Sequence, residues 1–318
     1  MLLNNHHANF SYISQAQVWD KKSTVRSRQR RIMEDDELSF YPRERQFLCQ
    51  YEEIKELGED AINFILLQSF YKYLNDVIIF EMDIVNNMAS KIAGNSFSFE
   101  FPMMCRQDAF SILIDENYHA YAAIDYMQQV IEFTGIQPLK FSNQIELSDA
   151  IPQALQSLDT KYHAGMELIA VGIAENSVTA DVAKFARDKS LKKSIQGLMS
   201  DHLIDEGRHS IFWSDIGKIY WQNIQEDEKI AIGQGLHIFM QRYLSFNRFA
   251  DFQKDVVREL VKSFSLDTDL ADDIIDSIDF TMPMNKTHPM MQPIGLFLNR
   301  SGILQHQPTY ECLKYLFQ

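Results

Sequence analysis

Two short stretches of the chain repeat one spacing of acid and imidazole, and this repetition limits the fold more than any other feature. "DENYHAYA" holds Glu116 and His119 as E-x-x-H, and "DEGRHS" holds Glu206 and His209 in the same relation. Residues three apart share a helix face, whereas on a strand they point to opposite sides. Each pair has an upstream glutamate. Glu81, in "VIIFEMDIV", lies 35 residues before Glu116, and Glu175, in "VGIAENSV", lies 31 before Glu206. In an antiparallel helical hairpin, facing residues are equidistant from the turn. The first midpoint falls near residue 98 in "GNSFSF", and the second near residue 190 in "RDKSLKK". Both hairpins therefore bring a glutamate level with an E-x-x-H.

The surrounding segments fit that geometry. With only 12 Gly and 8 Pro in 318 residues, long stretches run without a breaker, which favours helices over many short strands. One long helix is expected over residues 50–94, broken near Gly58, and a second from Pro102 to Gly135. "IQPLKFSNQIELSDAIPQAL" follows, with two prolines and weak periodicity. It is long for a helix–helix connection and reads as a crossover along a bundle. Helices are expected over residues 158–189, 191–223 and on to about 246. Shorter pieces, a Pro/Met-rich loop ("TMPMNKTHPMMQP") and a last short helix in "YECLKYLF" complete the chain. Two helices, a crossover, two helices and extra C-terminal helices make an all-α, ferritin-like bundle. The expected organisation is an arm over residues 1–45 and one domain over 46–318. Within that domain the metal-binding bundle spans about 50–245, and the segment 246–318 covers the pocket.

Glu81 and Glu175 both sit in apolar company, where an unpaired carboxylate is strongly disfavoured. Four carboxylates meeting in one core repel each other and draw protons; two metal cations remove the difficulty. Oxygen and imidazole donors suit iron, with manganese as the alternative, better than structural zinc. His163 and Glu167 in "KYHAGMEL" compete, since pairing Glu167 with Glu206 puts the turn near residue 186. The spacing favours Glu175 but leaves Glu167 open, and His163 reads as a helix-surface or supporting residue. Asp115, Asp201 and Asp205 flank the candidate ligands and are placed to support them through hydrogen bonds.

Charge and cysteine usage narrow the partners. A net charge of −14 argues against general nucleic-acid binding, which needs cations facing phosphates. The basic run "STVRSRQRR" is the local exception and reads as a flexible or surface-bound arm. Cys49, Cys105 and Cys312 are far apart with no CxxC, as expected of reduced thiols in the cytoplasm. "MLLNNHHANF" is too short and polar for a signal-peptide core. No apolar run approaches the roughly 20 residues that span a bilayer, so a soluble protein is expected. Long apolar helices are compatible with a homodimer.

His202 stands one helical turn before Glu206 in "DHLIDEGRHSIFW", and here the chain resembles a known family. These are the di-iron N-oxygenases typified by p-aminobenzoate N-oxygenase, whose pattern runs Glu, E-x-x-H, Glu, H-x-x-x-E-x-x-H. The matching positions are Glu81, Glu116 and His119, Glu175, then His202, Glu206 and His209, across about residues 50–245. The family order selects Glu175 over Glu167. The resemblance implies two iron ions bound by these seven residues, O2 as co-substrate and an external electron donor or redox partner. It also implies oxidation of a primary amine, free or carried on a protein, to hydroxylamine, nitroso or nitro products, as in natural-product biosynthesis. Relatives acting on acid-bearing amines need a cation for the acid end, and Arg300 and Arg242 are the candidates here. A C–H hydroxylase or desaturase, an iron-storage protein and a metal-free helical scaffold are the competing readings.

Overall fold

Helix ends fall where backbone chemistry places them. In a computed structural model that describes residues 12–97 and 99–318, α1 (Ala16–Lys22) and α2 (Thr24–Ser27) precede the bundle. The bundle begins with α3 (Glu52–Lys55) and α4 (Glu59–Ile79). They are separated by Gly58, whose φ of 93° disfavours a side chain. A π-helical segment, Phe80–Val85, continues α4 into α5 (Asn86–Ala93). After a turn, α6 (Met103–Thr134) runs for 32 residues and stops at Gly135. That glycine, at φ 69°, donates its N–H to the Ile131 carbonyl in a left-handed cap. Residue 98, on which the first hairpin midpoint falls, lies outside the described residues, but the helices on either side of it pair as expected.

The crossover is more ordered than its prolines suggest. It contains α7 (Glu146–Gln156), with Leu147, Ala150, Ile151 and Ala154 buried along one stripe despite Pro152 in its interior. Next come α8 (His163–Arg187) and α9 (Lys193–Asn223), the second hairpin, turning over residues 188–192. Then follow α10 (Glu226–Tyr243), α11 (Asn247–Ser263), α12 (Asp269–Ser277), α13 (Met291–Arg300) and α14 (Gln307–Leu313). The fold is an all-α, ferritin-like helical bundle. No helix among the described residues is long and apolar enough to cross a membrane.

Two apolar layers fill the bundle at different heights. Leu74, Val77, Ala123, Tyr126, Leu198 and Met199 belong to one; Phe80, Val85, Ile112, Phe212 and Trp213 belong to the other. On each of these helices the polar residues fall between the two layers. Each fully buried Leu, Ile or Phe contributes about 1.5–3 kcal/mol, so the layers clamp a region that would not assemble unaided.

From Tyr12 onward the N-terminal arm is bound along α6, while residues 1–11, with "MLLNNHHANF", lie outside the described residues. Tyr12 Oη, Ser14 Oγ and the Gln15 N–H donate to Asp108 at 2.6–2.8 Å. Further on, Arg30 makes a two-pronged bond to Asp125 at 2.8 and 2.9 Å. Ser23 and Thr24 are buried while Arg28 and Arg30 stay exposed. The C-terminal segment lies elsewhere: Phe297 of α13 packs against Gly172 and Gly217, where any Cβ would crowd its ring.

Candidate metal centre

Seven buried side chains meet between the apolar layers. Among the described residues, Glu81, His119, His202 and Glu206 form one potential metal-holding group, and Glu116, Glu175, Glu206 and His209 form another. Donor atoms within each group lie within 4.8 Å of one another, and Glu206 belongs to both. Glu81 projects from the π-helical segment, Glu116 and His119 from α6, Glu175 from α8, and the rest from α9. In a π turn each N–H bonds five residues back, which widens the helix locally and re-aims its side chains, often at functional sites.

The histidines point inward by different nitrogens. His119 Nε2 lies 3.0 Å from Asp205 Oδ2, and His209 Nε2 lies 3.3 Å from Asp115 Oδ2. A carboxylate only accepts, so each Nε2 carries a hydrogen, and with a cation in the cluster each Nδ1 would face it with a lone pair. The pairing is crossed, because each aspartate precedes one E-x-x-H and holds the histidine of the other. Glu116 presents Oε2 to His119 Nδ1 at 3.2 Å and Oε1 to His209 Nδ1 at 2.9 Å, spanning both groups. His202 faces inward through Nε2, 3.1 Å from Glu81 and 3.2 Å from Glu206.

Several of these atoms are close without being hydrogen-bonded. Both Glu175 oxygens, Glu81 Oε2, Glu116 Oε1 and His202 Nε2 are buried with no hydrogen-bond partner. Donor atoms that aim past one another at a shared centre leave such orphans, and a cation would satisfy them. Burial and the Glu206 and Glu116 charges push the Glu175 carboxyl well above its ordinary range. Burial also opposes ionisation of Glu206, but His209 and His202 outweigh it and hold that carboxyl well below its usual range. For His119, burial disfavours the imidazolium, yet hydrogen bonds to Asp205, Glu116 and Glu81 raise it well above the ordinary value. His209 is raised likewise, against burial, by Glu116, Glu206 and Asp115. His202 reaches about 9, with burial and His119 opposing and Glu206 and Glu81 prevailing.

The charge of the layer calls for several cations, either protons or metal ions. The layer holds Glu81, Glu116, Glu175, Glu206, Asp115 and Asp205 against a single guanidinium, Arg208, which donates to Asp115 and Asp205. Three imidazolium cations and a protonated Glu175 leave it one charge negative. Two divalent ions with neutral imidazoles bring it within one charge of neutrality, and the oxygen and nitrogen donors suit iron.

A cavity of about 180 Å3 leads to this layer. Its lining runs from the exposed Arg28, Gln29 and Arg30, past Leu74, Val77, Ala123 and Leu198, to His119 and His202. It is walled by residues 24 and 28–31 of the basic run rather than by the C-terminal segment.

Other residues singled out in the sequence lie outside the cluster. Glu167 pairs with Lys91, and His163 donates to the Leu158 carbonyl at 3.2 Å. Asp201 does not reach a histidine of the cluster; it takes both prongs of Arg31 beside the cavity. Arg242 binds Asp149 and Ser245 between α10 and α7, and Arg300 is exposed at the end of α13. Neither arginine lines the cavity, because each is held on a helix packed away from it. Arg208, Trp19, Ser23 and Thr24, which hold the two aspartates, had no local sequence signal beyond the aspartate preceding each E-x-x-H.

Fold and site together define a ferritin-like bundle with a buried carboxylate–histidine layer that could hold metal. The family model described as P-aminobenzoate N-oxygenase AurF matches residues 19–272, well over half the chain, and the protein belongs to that family. It is therefore an oxidoreductase of the non-haem di-iron N-oxygenase type. A search of curated proteins finds no match.

Proposed function

We propose that the chain binds two iron ions through Glu81, Glu116, His119, Glu175, His202, Glu206 and His209, and oxidises the primary amine of a small molecule. The products would be a hydroxylamine and, with further rounds, nitroso or nitro compounds. The observation that carries this reading is the presence of His119 and His202 in both the metal-holding group and the cavity wall. Two iron ions held there, with O2 and an external reductant, would supply the oxidant.

The protein's own groups do the rest. Glu206 and Glu116, which reach histidines of both groups, would hold the two ions together, and Asp205 and Asp115 lock the His119 and His209 rings through their Nε2 hydrogens. Leu74, Val77, Ala123 and Leu198 exclude water and disfavour an ammonium, so the amine nitrogen keeps its lone pair beside His119 and His202. For a substrate with an acid group, Arg28 is the cation we favour over Arg242 and Arg300. It lines the cavity, is half exposed, and sits 3.4 Å from Asp201. A free amine and one tethered to a carrier both fit this reading, as do a cytoplasmic location and a homodimer.

Anaerobic loading with Fe(II), then O2, reductant and a panel of amines, tests the proposal. N-oxidised products are expected. Alcohols or alkenes without N-oxidation would replace it with C–H oxidation, and failure to bind iron would remove both.

A further inference from the structure

The two aspartates that lock the histidines are themselves held by the N-terminal segment. Trp19 Nε1 donates to Asp115 Oδ1 at 2.9 Å, and Ser23 Oγ donates to the same oxygen at 2.7 Å. The next residue serves the other aspartate: the Thr24 N–H lies 3.2 Å from Asp205 Oδ1, and its hydroxyl donates to Oδ2. Ser23 and Thr24 are fully buried, as are both aspartates. Adjacent residues of one short segment thus reach carboxylates on two different helices, α6 and α9.

We infer that residues 19–24 position the two metal-binding histidines separately, Trp19 and Ser23 acting on His209 through Asp115, and Thr24 acting on His119 through Asp205. This rests on the metal reading above. A carboxylate free to rotate can turn its oxygens away from an imidazole N–H, and the ring then loses both orientation and basicity. Donors on the carboxylate's remaining lone pairs remove that freedom. Asp115 Oδ1 takes Trp19 and Ser23, which leaves Oδ2 for His209 and Arg208. Asp205 Oδ2 takes the Thr24 hydroxyl and His119, while Oδ1 takes the Thr24 N–H and Arg208. Arg208 touches both aspartates and cannot distinguish them, so any separate control comes from the N-terminal segment.

The segment is anchored independently on both sides of these contacts, by Tyr12, Ser14 and Gln15 on Asp108 and by Arg30 on Asp125. Removing one hydroxyl or one indole N–H should therefore leave it in place. Trp19, Ser23 and Thr24 are positioning residues; none of them belongs to either metal-holding group.

The test uses the full chain, cleared of metal and titrated anaerobically with Co(II) against a competing chelator, so that two dissociation constants are read. Exchangeable ring N–H resonances of the Co(II)-loaded protein report each histidine. The variants are Trp19→Phe with Ser23→Ala, Thr24→Val, and Thr24→Ser as the rescue. The first pair should weaken one Co(II) site by about tenfold, the low end of what outer partners contribute, and shift the His209 resonance. Thr24→Val should weaken the other site and shift the His119 resonance, with Thr24→Ser restoring both. Unchanged constants and resonances in every variant would overturn the inference, as would equal weakening of both sites in each. A parent protein that binds no Co(II) or Fe(II) would instead overturn the metal reading itself, and its stoichiometry is measured first.

Discussion

The first hairpin delivers its glutamate on distorted backbone, the second on regular helix. Glu81 sits in the π-helical segment between α4 and α5, whereas Glu175 lies within uninterrupted α8. The groups they join differ in kind. Glu81 meets two imidazoles, both of which line the cavity; Glu175 meets one imidazole, with both its oxygens buried and unpartnered. Two halves with the same acid and imidazole spacing thus build unequal positions. The widened turn and the extra histidine both belong to the group whose histidines line the cavity. The proposed division is between a position open to chemistry and a position that is enclosed.

Breaking the residue common to both should have the largest effect. Glu206→Ala is expected to release both ions and weaken each by more than about 100-fold, since even outer partners are worth 10–100-fold. Iron counted per chain after reconstitution checks this, and full retention of one ion would mean Glu206 serves only the other. His202→Ala separates the two positions. It should weaken one ion by about 100-fold, leave the other near its parent affinity, and keep the helices folded by circular dichroism. Equal loss at both would erase the proposed difference between them.

A pH series sharpens the same contrast. In the metal-free protein His202 is raised to about 9 from 6.5. A raised histidine adds stability that is complete below pH 6.5 and is lost as pH climbs through 9. Glu175, also raised, acts in the same direction, because its charged form is the disfavoured one. Metal needs neutral imidazoles and ionised carboxylates, so the rise in Tm on adding Fe(II) should grow between pH 6.5 and 9. An increment that shrinks over that window would count against these ligands. The smallest effect belongs to Glu167→Gln. Its pair with Lys91 is partly exposed and worth less than about 1 kcal/mol, so iron stoichiometry should stay at the parent value. Loss of an ion there would return Glu167 to the candidate set in place of Glu175.

Much of the fold was legible because its cues are local. The helix break at Gly58, the stops at Gly94 and Gly135 and both hairpin turns follow from short-range chemistry. The π-helical segment left no such mark: "FEMDIV" contains nothing that distinguishes five-residue from four-residue hydrogen bonding. Helix α7 did leave one, the stripe Leu147, Ala150, Ile151 and Ala154, but the prolines of the crossover obscured it. The basic run "STVRSRQRR" read as a surface arm, and its wall of the cavity appears only when it lies against α6 and α9.

What the sequence determined by itself is that each hairpin brings a glutamate level with an E-x-x-H, since helical spacing and distance from a turn are arithmetic along one chain; the family resemblance added His202 and chose Glu175 over Glu167. Tertiary structure decided how they are aimed. The locks on His119 and His209 come from aspartates 86 and 94 residues away, and Thr24 reaches Asp205 across 181. Local propensity carries no information over such separations. They are fixed only when two apolar layers close and every buried carboxylate must find its donors.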